Sequence, residues 1–382
     1  YSTPIPSTVR ELTTNCCDAQ REKEIAIEIL TGKKSAQDYY ITRDGEAYKD
    51  SNFNLDYYSL DHLDTENNHI DIKYIRNEGI GFCDKIIFKD HGVGIGDRRL
   101  EGVLELGYST KRNTAENFGA FGLGAKVALS TGVDFYNITT VHNGRKFKLS
   151  CYPYTTKFNV PAFNPFITFS DGTKVHYEET TEKNYTEISF GVKKHNRQRF
   201  DDAVEEQLMY LSNVEYTKVY ENGDKNNVDF KSDVIYNSDS LLVCDSYMYS
   251  KPHIVIVKEA GATTGINYGY VDFRELEMEQ LWGAVGLKCP IRQVVKDEYG
   301  QETVLQDGVD VTPSREKVIW NDHTKAFVQN LILKAAEEAT ELVEEQLQEN
   351  DFLAWIQKCR DTLSLSSYNE GGTTALRQIS KI

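Results

Sequence analysis

An α/β protein is the fold class this sequence predicts, and three observations carry that expectation. Glu11, Asn15 and Asp18 recur at spacings of four and three, which sets polar side chains along one face of an N-terminal helix. Short segments of alternating apolar and polar residues then follow as half-buried strands. Helical and strand patterns interleave again over the second half of the chain, which 382 residues can divide into two or three domains with cores of their own.

Taken in order, a helix is expected over residues 6–30, with Ser7 or Thr8 at its N-cap and Glu11 in the capping arrangement. Residues 31–68 are polar and rich in Tyr and Asp, too long for a simple connection, and read as an insertion. Residues 70–75 alternate as a strand, and residues 85–89 form a second that delivers Asp90 at its C-terminal end. Residues 97–118 read as a loop, and a helix starts at 125–129. Strands are expected over 135–141, 145–152 and 185–192. Composition shifts near residue 193. A helix over 199–212 and strands over 228–234, 253–257 and 269–273 then make a second α/β domain, to residue 320. Residues 321–348 read as a long helix with Phe327, Leu331, Ala335, Ala339, Leu342 and Leu347 along one stripe. A further helical piece over 352–363 precedes a Ser/Gly/Thr-rich tail with the composition of a mobile segment.

Composition narrows the function classes. Hydrophobic residues make up 40 % and charged residues 27 %, the balance of an ordinary globular protein. No apolar run approaches the ~20 residues that a membrane helix needs, and no secretory apolar segment opens the chain. Seven cysteines, only Cys16 and Cys17 adjacent, suit reduced thiols in a cytosol better than disulfides or a zinc site. The vicinal pair reads as small core-filling residues on the first helix. A net charge of −16 argues against a broad nucleic-acid surface. Local basic runs occur, such as Lys193-Lys194-His195-Asn196-Arg197, which reads as a solvated loop or helix start.

Three motifs carry chemistry. The first is the helix stripe Glu11, Asn15 and Asp18, within Val9-Arg10-Glu11-Leu12-Thr13-Thr14-Asn15-Cys16-Cys17-Asp18-Ala19. Two carboxylates and an amide on one stripe are costly to bury without partners, and a metal ion with its water supplies such partners. The second is Asp90-His91-Gly92-Val93-Gly94-Ile95-Gly96, where Gly92 and Gly94 let a ligand approach the backbone without a Cβ clash. The third is Phe118-Gly119-Ala120-Phe121-Gly122-Leu123-Gly124-Ala125-Lys126, a glycine loop opening into a helix. Backbone N–H groups at a helix N-terminus point at phosphates, and the helix dipole favours their charge. Neither the Walker pattern nor the Rossmann pattern of glycines occurs.

In order, spacing and glycine placement these motifs resemble the nucleotide-binding signature of the GHKL ATPases: the N-box, then two glycine boxes. The wording Val9-Arg10-Glu11-Leu12 with Gly119-Ala120-Phe121-Gly122-Leu123-Gly124-Ala125-Lys126 is most similar to the rIIA-like proteins of tailed phages. The resemblance implies a Bergerat-type sandwich over residues 1–192, with helices on one face of a mixed sheet and a lid over 97–118. It further implies a transducer-like domain over 193–320 and a C-terminal helical segment over 321–382.

The resemblance also implies roles. Glu11 becomes the general base that orients water for attack on a γ-phosphate, and Asn15 the Mg²⁺ ligand, a neutral oxygen suited to an ion that keeps most of its waters. Asp18 faces the ribose or adenine, or holds waters beside the metal. Asp90 accepts from the adenine amine. Thr186 corresponds to the family's threonine that shares a water with that aspartate, although Tyr185 stands where relatives usually carry glycine. Gly119, Phe121, Gly122, Leu123 and Gly124 cradle phosphates, and Lys126 or the lid residue Lys111 reaches them. Val311-Thr312-Pro313-Ser314-Arg315-Glu316-Lys317 resembles the heat-shock chaperones' Ser-Arg-Glu loop, which implies that Arg315 reaches the γ-phosphate from the second domain. The implied activity is slow Mg²⁺-dependent hydrolysis of ATP driving a clamp that dimerises or grips a partner protein, in the cytoplasm (the host's, if phage-encoded). A chaperone-, topoisomerase- or MutL-type ATPase module and a nucleotide-sensing scaffold with little hydrolysis are the alternatives.

Overall fold

A computed structural model describes residues 3–34, 41–43, 46–48, 55–79, 83–96, 99–100, 124–155, 161–165, 176–208, 211, 213–230, 233–238, 241–245, 254–260, 263–270, 285–290, 292–296, 302–311 and 318–347. The chain is mixed α/β and divides into two units, Tyr1–Phe230 with Ala260–Thr263, and Lys231–Glu259 with Thr264–Ile382.

The first unit opens with α1, Pro4–Leu30. Its start lies earlier than expected, because Pro4 occupies the first turn, where its fixed φ suits the helix and its missing N–H is no loss. The capping roles expected of Ser7 and Thr8 are therefore overturned. Both lie inside the helix, and Thr8 Oγ1 donates to Pro4 O at 2.7 Å and to Val127 O at 3.2 Å. The helix stops in a Schellman arrangement: Gly32 takes φ +73°, Gly32 N–H bonds Ile29 O, and Lys33 N–H bonds Glu28 O.

The strands of this unit are β1 (Ile41–Arg43), β2 (Glu46–Tyr48), β3 (Ile70–Ile75), β4 (Asp84–Asp90), β5 (Tyr136–His142), β6 (Arg145–Thr155), β7 (Pro161–Pro165), β8 (Glu178–Glu179), β9 (Tyr185–Val192), β10 (Val214–Val219) and β11 (Lys225–Val228). A second helix, α2, spans Arg197–Leu208. β1 and β2 form a small hairpin. The others build one mixed sheet in the order β11-β10-β3-β4-β9-β5-β6-β7, with β8 on β6. β10 runs parallel to β3, and the remaining pairs are antiparallel. Between β5 and β6, Asn143 and Gly144 take φ of 47° and 77°, the two left-handed positions of a tight hairpin turn.

Strand parity explains the core. Ile72, Phe88, Ile188 and Ile138 stand opposite one another across four strands, as do Tyr74, Ile86, Phe190 and Tyr136. All eight are buried, and Phe200 of α2 packs on Tyr74 and Phe190 at ring distances of 6.5 and 6.1 Å. Burying each such side chain contributes about 1.5–3 kcal/mol. α1 packs against α2, β3 and β4. Because α2 and β10 complete this core, the first unit runs to Phe230, past the compositional shift at 193.

In the second unit, β12 (Asp233–Asn237), β13 (Leu241–Asp245), β14 (Ile254–Ala260), β15 (Thr263–Tyr270) and β16 (Val285–Lys288) form a five-stranded sheet, and β17 (Gln293–Lys296) pairs β18 (Glu302–Gln306). The single strand expected over 228–234 is instead the end of β11 and the start of β12, in different sheets. The last helix, α3, spans Asp322–Leu347. Its buried line is Thr324, Val328 and Ile332, one position round from the expected Phe327 and Leu331, which are only half-buried. The helical piece at 352–363 and the tail lie outside the described residues.

Candidate functional site

The site is built where β4 ends. Asp84, Ile86, Phe88 and Asp90 share one face of β4, so the apolar row that packs under the helices ends in a carboxylate. Asp90 is 4 % exposed and stands opposite Thr186 of β9, which stands opposite Thr140 of β5. Asp90 Oδ1 accepts from Gly92 N–H at 2.9 Å, which fixes the carboxyl's orientation. Thr140 Oγ1 donates to Tyr185 O at 3.0 Å and accepts from Ile95 N–H at 2.8 Å. With that proton committed, Thr186 is the donor in the 3.3 Å contact between the two hydroxyls. A carboxylate and two hydroxyls thus form a buried polar row at the end of an apolar face.

The glycines of the DxGxG run are demanded by close approach. A Cβ on Gly92 would lie 2.7 Å from the backbone of Ala19 in α1, so the loop is pressed against the helix next to Asp18. Gly94 has φ +71°, and its Cβ would lie 2.0 Å from Val141 O.

From the helix side, Glu11 and Asn15 are partly buried and Asp18 is 1 % exposed. Arg10 Nε lies 3.9 Å from Glu11 Oε1, and Thr14 Oγ1 donates to Glu11 O at 2.9 Å. One turn beyond Ala19 lies Lys23, fully buried, whose Nζ donates to Asn67 O at 2.5 Å. Burial lowers the Lys23 pKa to about 8 against the opposing pull of Asp64 and Asp90. Gly124 and Lys126 open a 3₁₀ helix, Gly124–Thr131, that packs against α1.

The structure therefore brings Asp18, Asp90, Gly92, Gly94 and Thr186 to one neighbourhood, with Glu11 and Asn15 further along the same helix. Lys111, Gly119, Phe121, Gly122, Leu123 and Arg315 lie outside the described residues.

Part of the insertion belongs to this neighbourhood. Tyr57, Tyr58 and Leu63 pack with Ala26 and Val93 in one apolar cluster. Gly96 N–H donates to the Tyr57 hydroxyl at 2.7 Å, His142 stacks on the Tyr57 ring at 4.1 Å, and Arg99 lies 4.2 Å from that ring while pairing with Glu22 at 2.7 Å. His142 Nδ1 also contacts Val93 O at 2.8 Å. Thr140, Lys23, Tyr57 and His142 were not singled out by sequence. The parity of Ile138 and Thr140 was the available signal for the threonine. The helical spacing from Ala19 to Lys23 was the signal for the lysine.

The basic run at 193–197 is structural at its end. Arg197 Nε and Nη2 donate to Asp84 at 2.8 and 3.0 Å, and Lys194 Nζ donates to Gly79 O at 2.7 Å. Cys16 and Cys17 are buried and form no disulfide, and no described helix is long and apolar enough to cross a membrane. Compared with known proteins, the sequence matches no family model and no curated protein.

Proposed function

We propose that this chain is a Mg²⁺-dependent ATPase with a Bergerat-type site, an ATP-driven clamp or switch of the rIIA-like kind. The observation that carries the reading is the buried row Asp90, Thr186 and Thr140, set under a glycine loop that is pressed onto the helix bearing Glu11, Asn15 and Asp18. A fixed carboxylate at a strand end is the acceptor that distinguishes an adenine amine from a guanine carbonyl. The donor set on α1 also fits the ion: Asn15 is half-buried with no side-chain partner among the described residues, and a neutral amide oxygen suits Mg²⁺. Bound there with the phosphates, Mg²⁺ would offset the charge that develops on the γ-phosphoryl group.

In this reading Glu11 takes the proton of the water whose oxygen attacks the γ-phosphorus, and ADP leaves. Backbone N–H groups at the start of the Gly124–Thr131 helix hold phosphate oxygens. Lys111 and Arg315 are the remaining cations assigned to the γ-phosphate. Contacts made only with ATP and not with ADP would bias the chain toward a closed, dimeric state.

The test is phosphate release from Mg²⁺-ATP by the intact chain and by Glu11→Ala, with ATP affinity and the mass in solution with a non-hydrolysable analogue. Turnover falling at least a hundredfold at preserved ATP affinity, with the analogue shifting the chain to a dimer, is the expected result. ATP binding with equal turnover in both proteins would remove Glu11 as the base and favour a nucleotide-sensing scaffold. Absence of ATP binding would end the reading.

A further inference from the structure

Next to the candidate nucleotide site, three side chains converge from two strand ends. His69 precedes β3, Asp71 is its second residue, and His91 follows β4. The antiparallel register of these strands, Asp71 opposite Lys89, sets all three at one end of the strand pair. Their ligand atoms lie within 4.8 Å of one another. His91 Nε2 is 3.3 Å from Asp71 Oδ2, and His69 Nε2 is 3.6 Å from Asp71 Oδ1. Zinc bonds to nitrogen and oxygen of ~2.1 Å place tetrahedral ligand atoms about 3.4 Å apart, so these separations already suit one ion.

The other nitrogen of His91 supplies an independent argument. His91 Nδ1 lies 3.6 Å from Asp64 Oδ2. A neutral imidazole has one N–H. With its proton on Nε2, His91 donates to Asp71 Oδ2 at 3.3 Å; with the proton on Nδ1, toward Asp64, the Nε2 lone pair faces that carboxylate, and a cation between them relieves the repulsion. The second tautomer is the one a carboxylate–histidine–metal arrangement requires, with an outer carboxylate orienting the ligating ring. Asp64 is itself held in place, by Glu66 and Asn67 N–H at 3.1 Å each and by Asn67 Nδ2 at 2.7 Å. Solvent reaches the cluster, with the His69 side chain 34 % exposed.

We propose that His69, Asp71 and His91 form a binding site for a divalent transition-metal ion, zinc foremost, with water completing the coordination and Asp64 orienting His91. Two imidazoles and one carboxylate favour zinc, cobalt or nickel over magnesium, which prefers oxygen. The ion would tie the segment before β3 to the residue following Asp90, and its binding stands or falls independently of ATP hydrolysis.

The test uses the intact chain stripped with chelator, then titrated with zinc chloride and, separately, cobalt chloride, followed by calorimetry, native mass and visible absorption. One zinc per chain at micromolar affinity or better is expected, with a cobalt spectrum free of a thiolate charge-transfer band. His69→Gln and His91→Gln should each weaken binding more than tenfold, and Asp64→Asn about tenfold. Far-UV circular dichroism checks folding, and if His91→Gln unfolds, the partly exposed His69→Gln decides alone. Lack of zinc binding by the unsubstituted chain, a thiolate band, or undiminished binding by the folded His69→Gln variant each overturns the proposal.

Discussion

Asp84 and Asp90 open and close β4 on the same face of the same strand, and both are nearly inaccessible, at 1 % and 4 %. Their surroundings differ. Asp84 accepts from both Nε and Nη2 of Arg197, from the Tyr74 hydroxyl at 2.9 Å and from Asn77 N–H at 2.9 Å. Burial would raise its pKa, but these donors outweigh burial and hold it below the usual carboxylate range. Asp90 is instead oriented by the amide of a glycine loop, stands opposite Thr186, and draws on the charge of Lys23, whose own pKa is lowered. Burial alone therefore does not mark a functional carboxylate. Asp84 is matched by a guanidinium, whereas Asp90 is set by a glycine loop beside a threonine, at the position the proposed reading gives to the ligand.

Substitution separates the two ends of β4. Asp84→Asn should lower stability in urea unfolding at neutral pH by about 3 kcal/mol, the lower end for a broken buried pair because Arg197 keeps partial exposure and Glu78 at 3.2 Å. Its folded chains should bind ATP as before. The sign with pH is fixed by the lowered folded pKa: the Asp84 contribution is complete above the unfolded value of 3.8 and is lost as pH falls through the folded value, so the gap between protein and variant closes in acid. Asp90→Asn should do the reverse, weakening ATP binding roughly a hundredfold with stability within about 1 kcal/mol. If Asp90→Asn instead costs several kcal/mol of stability while its folded chains keep their ATP affinity, the two aspartates are the same kind of residue.

Smaller effects sharpen the contrast. Thr140→Val leaves Ile95 N–H without its acceptor and should cost about 1.5 kcal/mol, read by thermal unfolding, with ATP affinity falling a few-fold. Unchanged affinity would detach the hydroxyl row from the ligand. Lys23→Met tests the charge next to Asp90 through pH. With a folded pKa of about 8 against 10.5, the unfolded chain binds more protons in this window, so the lysine's contribution rises with pH. Between pH 8 and 10 the unsubstituted protein should gain about 2 kcal/mol relative to Lys23→Met. A flat difference would mean that Lys23 titrates as an exposed lysine.

Much of the first unit was legible because its patterns are local. β3 and β9 fall at the expected residues, since alternation in Ile70–Ile75 and Tyr185–Val192 reflects a sheet with one covered face. α1 was legible in its stripe but not in its cap, because the Ser7, Thr8 and Glu11 spacing resembles a capping box while Pro4 already starts the helix. The site's second half was not legible. Lys23 reads as a polar helix face until Asn67 is seen to accept its proton, and Tyr57 reads as insertion until Gly96 is seen to donate to it. Those pairings join residues far apart in sequence. On α3, apolar residues recur on more than one line, and the sheet facing the helix selected Val328 and Ile332.

The parallel pairing of β10 with β3, Val214 beside Ile70, bears on how this chain is made. On the ribosome β3 emerges early, while its outer neighbour arrives only after β4 to β9 and α2 have been synthesised. Until then the edge of β3 presents unpaired N–H and C=O groups and the aromatic core lacks Phe200. A fragment cut near residue 192 exposes both at once, and a nascent chain paused between α2 and β10 still exposes the strand edge. Aggregation during synthesis should therefore fall sharply once translation passes residue 219, the end of β10.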